Sequence, residues 1–266
     1  MVKGQNKGTP IEKQILKIFD NAIPINLNKN YQDILKLSNH TINPTISLNC
    51  IEGNGKGLEK KPDLIIMQNN MQVLIMSIKS GKANSVHEEG IDAFVDFLIN
   101  LGAKSSEIDD LKFYFWGDGS LDGSIGEKDF KKRIKGVDIT KKHPKKIKSI
   151  NNTFKKYKRE ITERAFIGHK AYAYPTVLVY KETLNKNKLW YIAMSDLINY
   201  NCTVDKPGVT VGDLTFQNQN RCLKEQDKTQ GKKRSQIQFK YSKLMNSRKV
   251  KISGFGKWKD YKFNEI

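Results

Sequence analysis

Pro62-Asp63-Leu64-Ile65-Ile66-Met67 and Gln72-Val73-Leu74-Ile75-Met76-Ser77-Ile78-Lys79 are two apolar runs of strand length, separated by Gln68-Asn69-Asn70-Met71. Two such runs flanking an Asn-rich turn predict a β-hairpin. Side chains alternate faces along a strand, so Ser77 and Lys79 share one. If Asp63 faces the same way from the partner strand, an acid, a hydroxyl and an amine meet at one end of a sheet. An acid and a lysine among Ile, Leu and Met are costly unless they pair or bind a metal. That cost makes the hairpin a candidate for chemistry, although a buried Asp–Lys ion pair in an ordinary sheet would explain the same residues.

Outward from the hairpin, residues 10–22 carry helical apolar spacing, with Ile11, Ile15, Ile18 and Phe19 on one face and Thr9-Pro10 as the start signal. Residues 52–61 are rich in Gly and Lys and predict a loop. Val86 to Leu101 predicts a helix with Ile91, Phe94, Val95 and Leu98 inward. Leu111–Trp116 predicts a strand that enters the turn-rich stretch Gly117–Ser124. Basic helices are expected across 127–167, then strands at Tyr174–Tyr180, Leu189–Met194, Val209–Phe216 and Gln236–Tyr241. With no internal repeat and no Pro/Gly/Ser linker, the reading is one α/β domain with a mixed central sheet flanked by helices and a basic C-terminal β region. Its parts are a candidate catalytic part at about 8–125, basic helices at about 127–167 and a β region at about 170–266.

The formal net charge of +19 is concentrated in two blocks. Residues 128–164 hold 15 Lys and Arg against 4 Asp and Glu, and residues 221–266 hold 14 against 4. Two such blocks fit two arms of a polyanion-binding groove, with nucleic acid favoured over two solvated faces or a basic tail. Lys131, Lys132, Arg133, Lys232, Lys233 and Arg234 are the expected phosphate contacts. In the last strand, Gln236, Gln238 and Lys240 alternate with Ser235, Ile237 and Phe239, so one face is polar and the other mainly apolar. Ser235, Gln238, Lys240 and Arg234 are the candidates for base contacts, Lys or Arg suiting guanine and Gln making paired hydrogen bonds.

No apolar run approaches the ~20 residues of a membrane span, and the N-terminus lacks the apolar stretch of a secretory signal. Cys50, Cys202 and Cys222 are odd in number and without metal spacing, which points to a reducing cytoplasm. His40, His143 and His169 form no ligand-spaced cluster, and His87 is expected at a helix start. Phosphodiester hydrolysis needs charge compensation, an activated water and a stabilised leaving oxygen. Asp63 can supply a hard oxygen ligand for magnesium, and Lys79 can orient water and neutralise phosphate. Glu12, Glu88 and Glu89 are candidates for an additional acid, with Glu12 preferred in an outer supporting role. Asp118 and Asp122 are expected to be turn residues.

Pro62-Asp63 followed by Ser77-Ile78-Lys79 resembles the PD-(D/E)xK nuclease signature, with serine in place of the second acid. Ile11–Phe19, the Lys-rich stretch after Lys79, the basic helix at 155–167 and Gln238-Phe239-Lys240 are similar, in that order, to segments of type II restriction endonucleases of this superfamily. The family includes active enzymes with a neutral asparagine where Ser77 stands. The resemblance implies a sequence-specific, Mg2+-dependent double-stranded DNA endonuclease of a bacterial restriction-modification system, monomeric or homodimeric. In that reading Asp63 and Ser77 are the metal ligands, Lys79 is catalytic and the C-terminal β segment reads bases. A non-catalytic DNA-binding protein on a decayed nuclease fold, or a repair or junction nuclease, are the alternatives. Residues 242–266 have no assigned role.

Overall fold

The computed structural model describes residues 10–53, 62–80, 85–128, 133–168, 175–181, 188–218, 235–241 and 259–262. The chain divides into two units, residues 1–83, 167–200 and 247–266 in the first, and 84–166 and 201–246 in the second. Each has its own sheet.

The first unit starts with helices α1 (Pro10–Phe19) and α2 (Lys29–Leu35) and strand β1 (Asn49–Glu52). Strands β2 (Leu64–Gln68) and β3 (Met71–Ser80) follow as the expected antiparallel hairpin. Its turn is Asn69-Asn70, both at positive φ (50° and 62°). That conformation suits a two-residue turn matched to strand twist, and Asn tolerates it better than most residues. The Gln68 side chain locks this end, donating to the carbonyls of Asn43 and Ile46 and accepting from the Asn43 amide.

After the second unit's first segment, the chain returns as a strand at Val177–Lys181 that pairs parallel to β3. A strand at Lys188–Ala193 then pairs antiparallel to it, and Lys259–Lys262 forms the far edge. With β4 (Ser85–Gly90) falling in the second unit, these are β5, β6 and β10, and the order is β1-β2-β3-β5-β6-β10. The sheet is mixed, as expected. β3 has a strand on each side, and most of its residues on both faces are buried, so it reads as an apolar run rather than a strict alternation.

On one face, Leu64, Ile66, Leu74, Met76, Ile78, Val177 and Val179 meet Ile11, Ile15 and Phe19 of α1. Phe19 packs edge-on against Tyr31 of α2 at 5.5 Å between ring centroids. Each such large apolar side chain contributes roughly 1.5–3 kcal/mol on burial. The predicted helical face of α1 is thereby the face it buries.

In the second unit, β4 is followed by α3 (Ile91–Asn100), α4 (Ser105–Trp116), α5 (Ser124–Lys128), α6 (Gly136–Lys142), α7 (Pro144–Lys156) and α8 (Lys158–Ile167). Helix α9 (Met194–Thr203), most of which belongs to the first unit, leads into the second unit's strands β7 (Thr210–Val211), β8 (Leu214–Gln217) and β9 (Gln236–Tyr241). The sheet is antiparallel in the order β4-β9-β8-β7. Its core is aromatic: Phe94 of α3, Phe154 of α7, Phe216 of β8 and Phe239 of β9 lie within 6.5 Å of one another, centroid to centroid.

Three expectations are corrected here. Leu111–Trp116 is the end of α4, not a strand. Ile108, Leu111, Tyr114 and Phe115 bury at helical spacing, and Gly117 at φ 65° closes the helix. Residues 85–90 form a strand, and the predicted helix begins only at Ile91, because β9 recruits the segment from far along the chain. The stretch 209–216 is two strands, broken where Gly212 adopts φ 62°. No helix among the described residues is long and apolar enough to cross a membrane.

Candidate functional site

Asp63 immediately precedes β2, and its main chain is fixed from both sides. Its amide donates to the Met76 carbonyl at 2.9 Å, and its carbonyl accepts from Gly53 at 2.9 Å. This sets Asp63 beside Ser77 on β3. The Asp63 Oδ2 accepts the Ile78 amide at 2.6 Å and the Ser77 hydroxyl at 3.2 Å. Ser77 is buried at 2 % exposure, whereas Asp63 and Lys79 are half-buried. Lys79 follows two residues after Ser77 and so shares its face. The sheet therefore joins Asp63 to Ser77 and puts Lys79 on the same side, on the face opposite the α1 core.

Both donors to Asp63 are neutral. They fix the orientation of the carboxylate without cancelling its charge, which leaves a half-buried anion able to take a cation. Magnesium is commonly held by one or two carboxylates, completed by water and substrate phosphate. One carboxylate with an adjacent hydroxyl meets the lower limit of that requirement. Among the described residues no group of three or more His, Cys, Asp and Glu side chains is placed to hold a metal ion.

Glu12 is half-buried in the first turn of α1. The apolar residues of that helix serve the face opposite Asp63 and Ser77, and the hydrogen bonds that assemble the pair do not involve Glu12. Glu89, considered as an additional acid, belongs to the second unit and is fully buried. Arg164 holds it through Nε at 2.8 Å and Nη2 at 2.6 Å, and His87 Nε2 lies 2.9 Å from Oε1. Arg164 also covers the Phe97 ring at 4.4 Å and donates to the Ala93 carbonyl. Burial pushes the Glu89 carboxyl up, but the hydrogen bonds and charges of His87 and Arg164 outweigh it and bring it to about 2. His87 is thus a buried strand residue in an ion cluster, not a helix-start residue. Asp118 is the turn residue expected, accepting from Ser120 and from the Gly126 amide.

The antiparallel sheet of the second unit separates its faces by chemistry. Residues directly opposite share a face, so Glu89, His87, Ile237, Phe239 and Phe216 lie on the core side. The other side presents Glu88, Gln238 and Gln217 in one row and Ser85, Lys240 and Thr215 in the next. The alternation expected of β9 is present, with Ile237 and Phe239 in the core and Lys240 half-buried on the polar side.

Two expected contacts are corrected. Gln238 is only 7 % exposed, and its Nε2 donates to Ser85 Oγ at 2.7 Å and to a Glu88 carboxylate oxygen. Its amide hydrogens are engaged within the protein, so the paired contact to a base edge is not open to it. Arg133 is buried, its guanidinium over the Trp116 ring at 5.5 Å and its charge acting on Asp118; it is not a surface phosphate contact. Ser235 is exposed at the start of β9. Lys131, Lys132, Lys232, Lys233 and Arg234 lie outside the described residues. Among the described residues the exposed cations of the basic block are Lys135, Lys141 and Lys142, Lys145, Lys148, Lys155 and Lys156 on α7, and Arg159 on α8. Ile147, Ile150 and Phe154 take the buried side of α7.

No protein-family model matches this chain, and no curated protein matches it at a significant level.

Proposed function

We propose that the chain is a site-specific, Mg2+-dependent double-stranded DNA endonuclease of the type II restriction kind, working in a bacterial cytoplasm and built on the PD-(D/E)xK plan. The observation that carries this reading is the Asp63 carboxylate, oriented by Ser77 and the Ile78 amide at the end of a hairpin that also bears Lys79. The lysines of α6 and α7 and the polar sheet face support DNA as the substrate.

Asp63, with the Ser77 hydroxyl beside it, is where magnesium would be held, and the ion would supply charge compensation at the scissile phosphate. The Lys79 ammonium holds the attacking water by hydrogen bonding and offsets phosphate charge. Water oxygen bonds to phosphorus and gives up a proton to solvent, the bond to the leaving oxygen breaks, and that oxygen takes up a proton from solvent. Ser77 keeps the Asp63 carboxylate turned toward the reacting phosphate.

Incubation with a mixed-sequence plasmid and magnesium tests this reading. Discrete fragments are expected. A smear would indicate a repair or junction nuclease. Intact but retarded DNA would indicate a DNA-binding protein without catalysis, the second reading, which the neutral Ser77 favours.

A further inference from the structure

We infer that α7 lies in the major groove of a DNA duplex and that Asn152, at the middle of its exposed side, is a specificity-determining residue that reads an adenine. This rests on the DNA-binding reading above. Helix α7 carries five lysines and no acid. Ile147, Ile150, Thr153 and Phe154 bury its inner side, and Phe154 is locked into the aromatic core. The outer side is therefore a rigid ridge. Lys145, Lys148, Asn152 and Lys155 are all exposed on it, at spacings of three, four and three residues. At about 100° per residue they lie within a sector of about 80°, in a row about 15 Å long. Lys146, off this row, is taken up by Asp110 and the Phe113 ring.

Asn152 is the one uncharged member of the row. Among the described residues, the Asn152 amide and the Lys145 and Lys148 ammoniums have no hydrogen-bond or ion-pair partner, whereas the Gln238 amide is spent within its sheet. A cationic ridge attracts a polyanion, and a helix with its side chains is about 10–12 Å across, which matches the ~12 Å width of the major groove. Side-chain length separates the roles. The lysines reach further from the helix than an asparagine does, so they meet phosphates at the groove walls. The short Asn152 amide, a turn from Lys148 on one side and from Lys155 on the other, meets base edges on the groove floor. Asparagine makes paired hydrogen bonds to adenine, accepting from the N6 amino group and donating to N7. No other base alone sets a donor beside an acceptor on that edge.

The test is selection of bound duplexes from a randomised library by the full chain, in calcium so that bound DNA is not cut, for wild type and Asn152→Ala. Asn152 is exposed and alanine suits a helix, so the variant keeps the fold. Wild type is expected to select a motif containing an A·T pair whose preference Asn152→Ala weakens by roughly 5- to 100-fold, other positions and the salt dependence being unchanged. A deazaadenine lacking the N7 acceptor there should weaken wild-type binding and leave the already relaxed variant much less affected. A motif identical in wild type and Asn152→Ala overturns this inference alone. So does an altered position that is not A·T, an equal loss on all duplexes, or a wild type indifferent to the deazaadenine. A wild type that binds without selecting any motif overturns the inference and the site-specific reading together. A wild type that binds no DNA overturns the DNA-binding reading itself, and this inference with it.

Discussion

Asp63 in the first unit and Glu89 in the second are both acids set at the edge of a β-ladder, and their surroundings treat the charge in opposite ways. Glu89 has no exposed surface and is bound through both oxygens by Arg164, with His87 alongside. Asp63 is half-buried and held by a hydroxyl and a main-chain amide, which orient it but bring no positive charge. An acid saturated by cations is part of the architecture. An acid oriented by neutral donors keeps its charge for something else. The perturbed titration of Glu89 accordingly marks structure, and the hydrogen-bond pattern of Asp63 marks the candidate chemistry.

The comparison breaks most directly at the first acid. Asp63→Ala and Lys79→Ala should each lower plasmid cleavage by on the order of 10³-fold or more, with DNA binding in a mobility-shift assay retained. Near wild-type cutting by either variant would remove the site assignment. Arg164→Met should act oppositely, on stability rather than chemistry. Leaving a buried carboxylate without its cation costs about 3–5 kcal/mol, read as a lower urea midpoint, whereas Asp63→Ala should leave that midpoint nearly unchanged.

The pH dependence of the Glu89 cluster follows from the lowered carboxyl. A free glutamate titrates near 4.5 and Glu89 near 2, so the cluster's contribution is complete above about pH 4.5 and is lost as pH falls from there toward 2. Wild type should lose stability through this window in urea titrations, and Arg164→Met should lack that component. A wild-type profile flat between pH 5 and 2 would contradict it.

Smaller effects sharpen the contrast. Ser77→Ala should reduce cleavage by ~10–100-fold, as expected of a group that orients a metal ligand, and Ser77→Asp should show whether a second charge can substitute for the hydroxyl. A loss equal to that of Asp63→Ala would make the hydroxyl a direct participant. Lys141→Gln, Lys142→Gln, Lys145→Gln and Lys148→Gln should each weaken binding to all duplexes alike. Each should flatten the slope of log affinity against log salt by about 0.9 if it neutralises one phosphate; an unchanged slope would remove that lysine from the interface.

The hairpin, its Asn69-Asn70 turn and the shared face of Ser77 and Lys79 followed from sequence alone. So did the buried faces of α1 and α3 and the alternation of β9. These depend on local periodicity and turn chemistry, which a short window contains. Tertiary structure alone decided that 85–90 pairs as a strand, that 111–116 ends a helix, that Arg133 packs inward and that Gln238 gives its amide to Glu88. The last pairing joins residues 150 positions apart. A polar residue on an alternating strand faces away from the apolar core by geometry, but whether its hydrogen-bonding groups are free for a ligand depends on which strand lies beside it.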